Sequence, residues 1–95
     1  MTTTIDPDDG LIGPELALAV RKNAVREFHI EQTAPGTWCV RVRLNWREED
    51  LYLVTRRNRT QPRLFKDFDR LLQHIEEEYS KIIDIQLHLL PKLNK

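Results

Sequence analysis

Between residues 37 and 46, apolar and polar positions alternate without a break. Trp38, Val40, Val42, Leu44 and Trp46 fall on one side, and Cys39, Arg41, Arg43 and Asn45 on the other. A period of two marks a strand with one buried face. The pattern recurs over residues 25–32, where Phe28 and Ile30 share one face and Glu27, His29 and Glu31 the other. Thr33, Ala34, Pro35 and Gly36 supply the turn between them. Keeping both apolar faces together pairs Ile30 with Val40 and Phe28 with Val42. It also sets Glu27 opposite Arg43 and His29 opposite Arg41. A third strand is expected over residues 51–57, with Leu51 and Leu53 inward and Tyr52, Val54 and Arg56 outward. In that register Arg41 faces Arg56. Like charges in direct opposition need relief from a carboxylate, solvent or an anionic partner.

The period then changes. Phe68, Leu71, Leu72, Ile75 and Tyr79 recur at helical spacing, which predicts an amphipathic helix from residue 66 or 67 to 79. Asp67 is its natural N-cap, and Asp69 adds negative charge to the first turn. Residues 62–65 read as an extended connector or edge, since Pro62 cannot donate to a ladder. A shorter helix is expected over residues 14–23. Pro14 would sit at its start, Leu16, Ala19 and Val20 would form its apolar stripe, and Arg21 and Lys22 would complement its dipole. Ile83, Ile85, Leu87 and Leu89 alternate with Asp84, Gln86 and His88, which predicts a last strand over residues 82–90. The alternative there is a continuation of the helix. Residues 1–13 are polar, acidic and broken by Pro7, Gly10 and Gly13, and read as a flexible arm. The expected architecture is one α+β domain over residues 14–95: a short N-terminal helix, a three-stranded antiparallel meander, an amphipathic helix and a C-terminal strand.

Composition narrows the class. Ninety-five residues suit one domain, and 40% hydrophobic with 32% charged residues is a globular rather than a disordered balance. Cys39 is the lone cysteine, so no intrachain disulfide is expected. No apolar run is long enough to cross a bilayer, and the acidic first ten residues lack the apolar stretch of a signal peptide. A cytoplasmic protein without membrane contact is the expectation.

Lysines and arginines number 15, as do aspartates and glutamates, so only the distribution of charge is informative. Residues 38–66 carry eight cationic side chains against three anionic ones, whereas residues 67–84 carry two against six. Seven of the eight are arginines, the residue suited to bidentate contact with phosphates, carboxylates and guanine edges. Arg41, Arg43, Arg56, Arg57, Arg59 and Arg63 are therefore the candidate anion-binding residues. Tyr52 is the candidate base-stacking residue among them. Nucleic acid and an acidic protein surface are the two partner classes. The competing reading is a solvated sheet face held by Glu27 and Glu31. Trp38 and Trp46 share the apolar face and read as core. His29, His74 and His88 lie on three separate elements without ligand spacing, and read as surface positions. Cys39 with His29 lacks an orienting third group, so no catalytic, metal or cofactor site is expected. An exposed edge strand, or the apolar C-terminal strand, offers a route to homodimers.

Leu53-Val54-Thr55-Arg56-Arg57, followed by the run from Pro62 to Leu72, resembles a phrase in small accessory proteins of bacterial plasmids and integrative elements. Some of these are partition-associated. Arg56, Pro62, Arg63, Phe65, Lys66 and Asp69 match the phrase, and the intervening turn is longer and more basic here. Three strands followed by a helix is also similar to small sheet-type DNA-binding domains. The resemblance implies a non-enzymatic binding module in DNA maintenance or regulation of a mobile element. The rival expectation is a protein–protein adaptor or inhibitor, an anti-defence role included.

Overall fold

The computed structural model describes residues 6–82 and 84–90. A 3-10 turn (Pro7–Asp9) leads into strand β1 (Gly10–Ile12) and helix α1 (Gly13–Arg21). Strands β2 (Val25–Ala34), β3 (Thr37–Leu44) and β4 (Leu51–Val54) follow, then helix α2 (Phe68–Glu78) and strand β5 (Gln86–His88). The strands make one five-stranded mixed sheet in the order β1-β4-β3-β2-β5. The α+β class is as expected, but the number and order of strands differ.

The β2–β3 hairpin keeps the register that the apolar alternation demands. Ile30 faces Val40, Phe28 faces Val42, Glu27 faces Arg43 and His29 faces Arg41. Its turn uses Gly36 at φ 72°, in the left-handed region that disfavours a Cβ. The β3–β4 pairing departs from expectation. Arg41 faces Tyr52 and Val42 faces Leu51, so Arg41 and Arg56 are not opposed. The strand also stops at Val54 instead of continuing to Arg57. There the chain turns, and the Asn58 amide donates to the Thr55 hydroxyl at 3.2 Å. It returns at Arg63, whose amide reaches the Leu53 carbonyl at 2.8 Å. Phe65 then exchanges backbone hydrogen bonds with Trp38 at 2.7 and 2.8 Å.

Both outer strands run parallel to their neighbours: β1 to β4 and β5 to β2. Residues 10–12 thus belong to the sheet and not to an arm; residues 1–5 of that arm lie outside the described residues. Three residues are too few for a readable alternation, and β1 is recruited by the ladder that β4 offers. The C-terminal strand is real but short. Only Gln86–His88 pair, and the expected strand's Ile83 lies outside the described residues, as does Pro91 beyond its end. Leu87 and Leu89 remain exposed because the strand lies at the sheet's edge.

Each helix is bounded by local chemistry. In α1 the Glu15 carboxylate accepts from the Ile12 amide at 2.9 Å, satisfying one orphan donor of the first turn. Its far end closes with Asn23 at φ 56°, and amides of Asn23 and Ala24 return to the carbonyls of Val20 and Ala19. That is a Schellman closure with asparagine in the place glycine usually takes. In α2 the Asp67 carboxylate accepts from the Arg70 amide at 3.2 Å, as an N-cap should.

Both helices pack on one face of the sheet. Leu16, Ala19 and Val20 of α1 and Leu71, Ile75 and Tyr79 at α2 bury against Phe28, Ile30, Val40, Val42, Leu51 and Leu53. Phe68 and Leu72 are partly buried at the margin. Trp38 joins that margin, with its ring 5.3 Å from Phe68. Trp46, expected in the core, is 67% exposed. The strand ends two residues earlier at Leu44, where the Asn45 amide turns back to the Ala24 carbonyl. Periodicity cannot carry a side chain inward past the end of its ladder. No helix among the described residues is long and apolar enough to cross a membrane.

Leu71 has no exposed surface, so Leu71→Ala should cost about 2–5 kcal/mol in chemical denaturation. Leu89→Ala, at a site 64% exposed, should stay within about 0.5 kcal/mol of wild type. Equal midpoints for the two variants would mean that α2 does not hold the core together.

Candidate anion-binding surface

The arginines expected on one surface divide into two groups. The first lies on the sheet face opposite the helices. Arg41 meets Glu31 at 3.2 Å and also grips Asp50, while Arg43 reaches Asp50 at 2.9 Å. Asp50 comes from the last position of the β3–β4 turn and sits between both guanidinium groups. Burial works to raise its pKa, but hydrogen bonds from Arg41 and Arg43 outweigh it and hold the carboxyl below its usual value. For Arg41, burial opposes the charge while the bonds to Glu31 and Asp50 reinforce it, with a net rise. The relief that Arg41 needs is thus supplied inside the fold, by carboxylates. Tyr52 lies half-buried beside this network and packs on Ile12 and Val54. Burial raises its hydroxyl pKa first, and the Glu31 charge adds to that.

Beneath the network lies Cys39, 1% exposed and opposite Glu31. Burial, then the Glu31 charge, pushes its thiol up to about 12. A thiol held protonated is a poor nucleophile, and its cross-strand neighbour is Glu31, not His29. Among the described residues, no group of three or more His, Cys, Asp or Glu side chains is arranged to hold a metal ion.

The second group lies where β4 ends. Arg56, Arg57 and Arg63 are exposed, and Arg59 is half-buried. The loop that carries them is braced from within. Asn58 accepts from the Thr60 amide at 3.3 Å and from its hydroxyl at 3.1 Å. The loop also closes onto β1, where a Cβ on Gly10 would stand 3.0 Å from Val54 and 3.2 Å from the Arg59 carbonyl. Glycine is what permits that approach. Arg63 lays its guanidinium over the Phe65 ring, 4.7 Å from the centroid, which fixes a long side chain without spending its charge.

Arg56, Arg57 and Arg63 border an open groove of about 720 Å³ between the ends of β1 and β4 and the two helices. Arg21 from the last turn of α1 completes the cationic rim, and Glu78 is the only carboxylate among the lining residues. Among the described residues, Arg21, Arg56, Arg57, Arg59 and Arg63 form no ion pair. His74 also lines the groove, with its ring 5.8 Å from that of Phe65 and 5.5 Å from that of Tyr79. Its Nε2 is buried without a hydrogen-bond partner. Burial, reinforced by the Arg63 charge, lowers its pKa.

Of the seven residues expected to form one surface, three border this groove: Arg56, Arg57 and Arg63. Arg41, Arg43 and Tyr52 belong to the sheet face, and Arg59 is not among the groove's lining residues. Sequence reasoning missed Arg21, His74 and the clamp at Asp50. Arg21 follows Pro14 and Ala17 at helical spacing, and all three line the groove, but nothing local ties them to residues 56–63. His29 is also not a surface position; it is 4% exposed and stands 2.9 Å from His88.

Asp50→Asn should cost about 1–2 kcal/mol by weakening two charge-assisted hydrogen bonds in a partly solvated network. A carboxyl lowered on folding stabilises above its ordinary value near 3.8 and loses that contribution as pH falls through the folded value. Wild type should therefore lose more stability than the variant on acidification, as read by denaturant midpoints at successive pH values. Parallel loss would assign the acid sensitivity elsewhere. For Cys39 the sign is reversed, because the unfolded thiol releases its proton first. Above its ordinary value of 9.0, rising pH should favour unfolding. At about pH 8 a disulfide reagent should react with Cys39 only in denaturant. Rapid reaction of the native protein would show that the site opens.

Comparison with protein-family models, with curated proteins and with solved structures finds no match to this chain.

Proposed function

We propose that the chain is a small non-enzymatic module that binds a phosphate backbone, nucleic acid first among the candidates, through the arginine rim beyond β4. The observation that carries this reading is the cluster of Arg21, Arg56, Arg57 and Arg63 around one groove that holds a single carboxylate. Cations brought together without partners cost repulsion, and a bound polyanion removes that cost. Arginine suits the task because its planar fork contacts phosphate in two places. The N-terminal residues of α1, Gly13 and Pro14, also line the groove, and the helix dipole favours negative charge there. The sheet face contributes less, because Arg41 and Arg43 already hold carboxylates. A cytoplasmic setting belongs to the same proposal, as does a role in DNA maintenance or regulation on a mobile element.

A second reading rests on Trp46. An indole left 67% exposed on the β3–β4 turn is the kind of residue that anchors protein interfaces. In that case the module is an adaptor or inhibitor that docks a complementary charged partner.

Fluorescence anisotropy with mixed-sequence DNA and RNA, at several salt concentrations, separates the two. Replacing both Arg56 and Arg57 by alanine should weaken nucleic-acid binding on every sequence. The slope of log affinity against log salt should flatten by about one unit per lost phosphate contact. The fold should be retained, since neither side chain is paired. A folded double variant that binds at full strength would remove the rim from the site. Absence of nucleic-acid binding by wild type at low salt, with a Trp46-dependent protein complex instead, would favour the second reading.

A further inference from the structure

Strand β5 is three residues long, its side chains are exposed, and it forms one edge of the sheet. Its neighbour β2 holds it by a parallel ladder in which His29 pairs with Gln86 and Glu31 with His88. The Leu90 amide adds a bond to the Gln32 side chain at 3.1 Å. One further contact crosses the seam. His29 Nδ1 stands 2.9 Å from His88 Nε2, while His29 Nε2 stands 2.9 Å from a Glu27 carboxylate oxygen. The three side chains form a line: Glu27, buried His29, exposed His88.

Two imidazoles in contact constrain where protons sit. With both rings neutral, His29 donates from Nε2 to Glu27, and its bare Nδ1 accepts from His88. One added proton is tolerated. It binds His88 Nδ1 while the proton between the rings moves from His88 Nε2 to His29 Nδ1, which then donates to the bared His88 Nε2 in a stronger, charge-assisted bond with Glu27 behind it. A second proton leaves both facing nitrogens as donors with no acceptor between them, and two like charges in contact. The geometry points to a proton-counting latch at this seam: β5 stays seated while the histidine pair carries at most one extra proton, and comes away from β2 when it carries two.

The surroundings sharpen this response. Beside His29 on β2 are Glu27 and Glu31; across on β3 are Arg41, opposite His29, Arg43, opposite Glu27, and the protonated Cys39, opposite Glu31. Both arginines are committed to carboxylates, so neither repels His29 as a free charge. On β5 the facing residue is the uncharged Gln86. Arg26, Lys81 and Asp84 share with Glu27 a small cavity where the chain approaches β5. Glu27 is held ionised first by its hydrogen bond to His29, which supports the first proton and does nothing for the second. The pair therefore has a place for one added proton and none for a second, and it is the second that frees β5.

Backbone amide exchange by NMR, corrected for the intrinsic effect of pH, tests this between about pH 8 and about pH 4.5, with ring nitrogen shifts recording each proton. Amides in the β2–β5 ladder should lose protection by about tenfold or more once the second ring proton is bound, while Val40 and Val42 on β3 keep theirs. His88→Gln keeps a side-chain donor for His29 Nδ1 and binds no proton, so its β5 should stay protected at the acid end. Wild type that keeps β5 protected with both rings protonated would overturn the proposal. So would loss of protection in His88→Gln at the same pH as in wild type.

Discussion

Arg41 and Arg43 stand two residues apart on β3, on the sheet face opposite the helices, and both reach Asp50. Asp50 directly precedes β4, so this clamp also sets where that strand begins. With Val42 paired to Leu51, Leu51 and Leu53 fall on the helix side and enter the core. A slip of one residue would put Asp50 and Tyr52 under the helices instead. Electrostatics on one face and packing on the other therefore select the same register. The agreement matters because folded domains of this size are only marginally stable.

The same clamp decides where positive charge remains free. Arginines that share carboxylates within the sheet are structural, since removing one member of the network weakens the pairing of the half-buried charges around it. Those beyond Val54 have no such duty. The loop that bears them is ordered by Thr55 and Asn58 rather than by salt bridges, so its cations stay available. Structure and candidate function thus occupy different arginines of one basic stretch.

That division was not legible in the chain. The β2–β3 hairpin was, because two clean alternations joined by a short turn admit one register that keeps both apolar faces together. Helix α2 was as well, since its stripe and its Asp67 cap are local signals. What escaped depends on distant segments. Strand β1 has three residues and exists because β4 presents a ladder. The β3–β4 register follows from a turn whose path no periodicity encodes. The groove draws Arg21, Arg56, Arg63 and His74 from separate stretches, and His29 meets His88 only because β5 adds in parallel across the sheet. Charge counting marked a basic stretch of chain but could not tell a shared arginine from a spare one.

The two tryptophans sit in opposite circumstances. Trp38 packs against Phe68, and its indole nitrogen is buried without a partner, while Trp46 stands in solvent at the β3–β4 turn. Their emission should therefore separate by wavelength and by access to a dissolved quencher. The red, quenchable component belongs to the turn beside the Asp50 clamp, and the blue, shielded one to the docking of α2. The molecule thus carries two intrinsic optical probes, one at the β3–β4 turn and one under α2, and either can be followed without attaching a label.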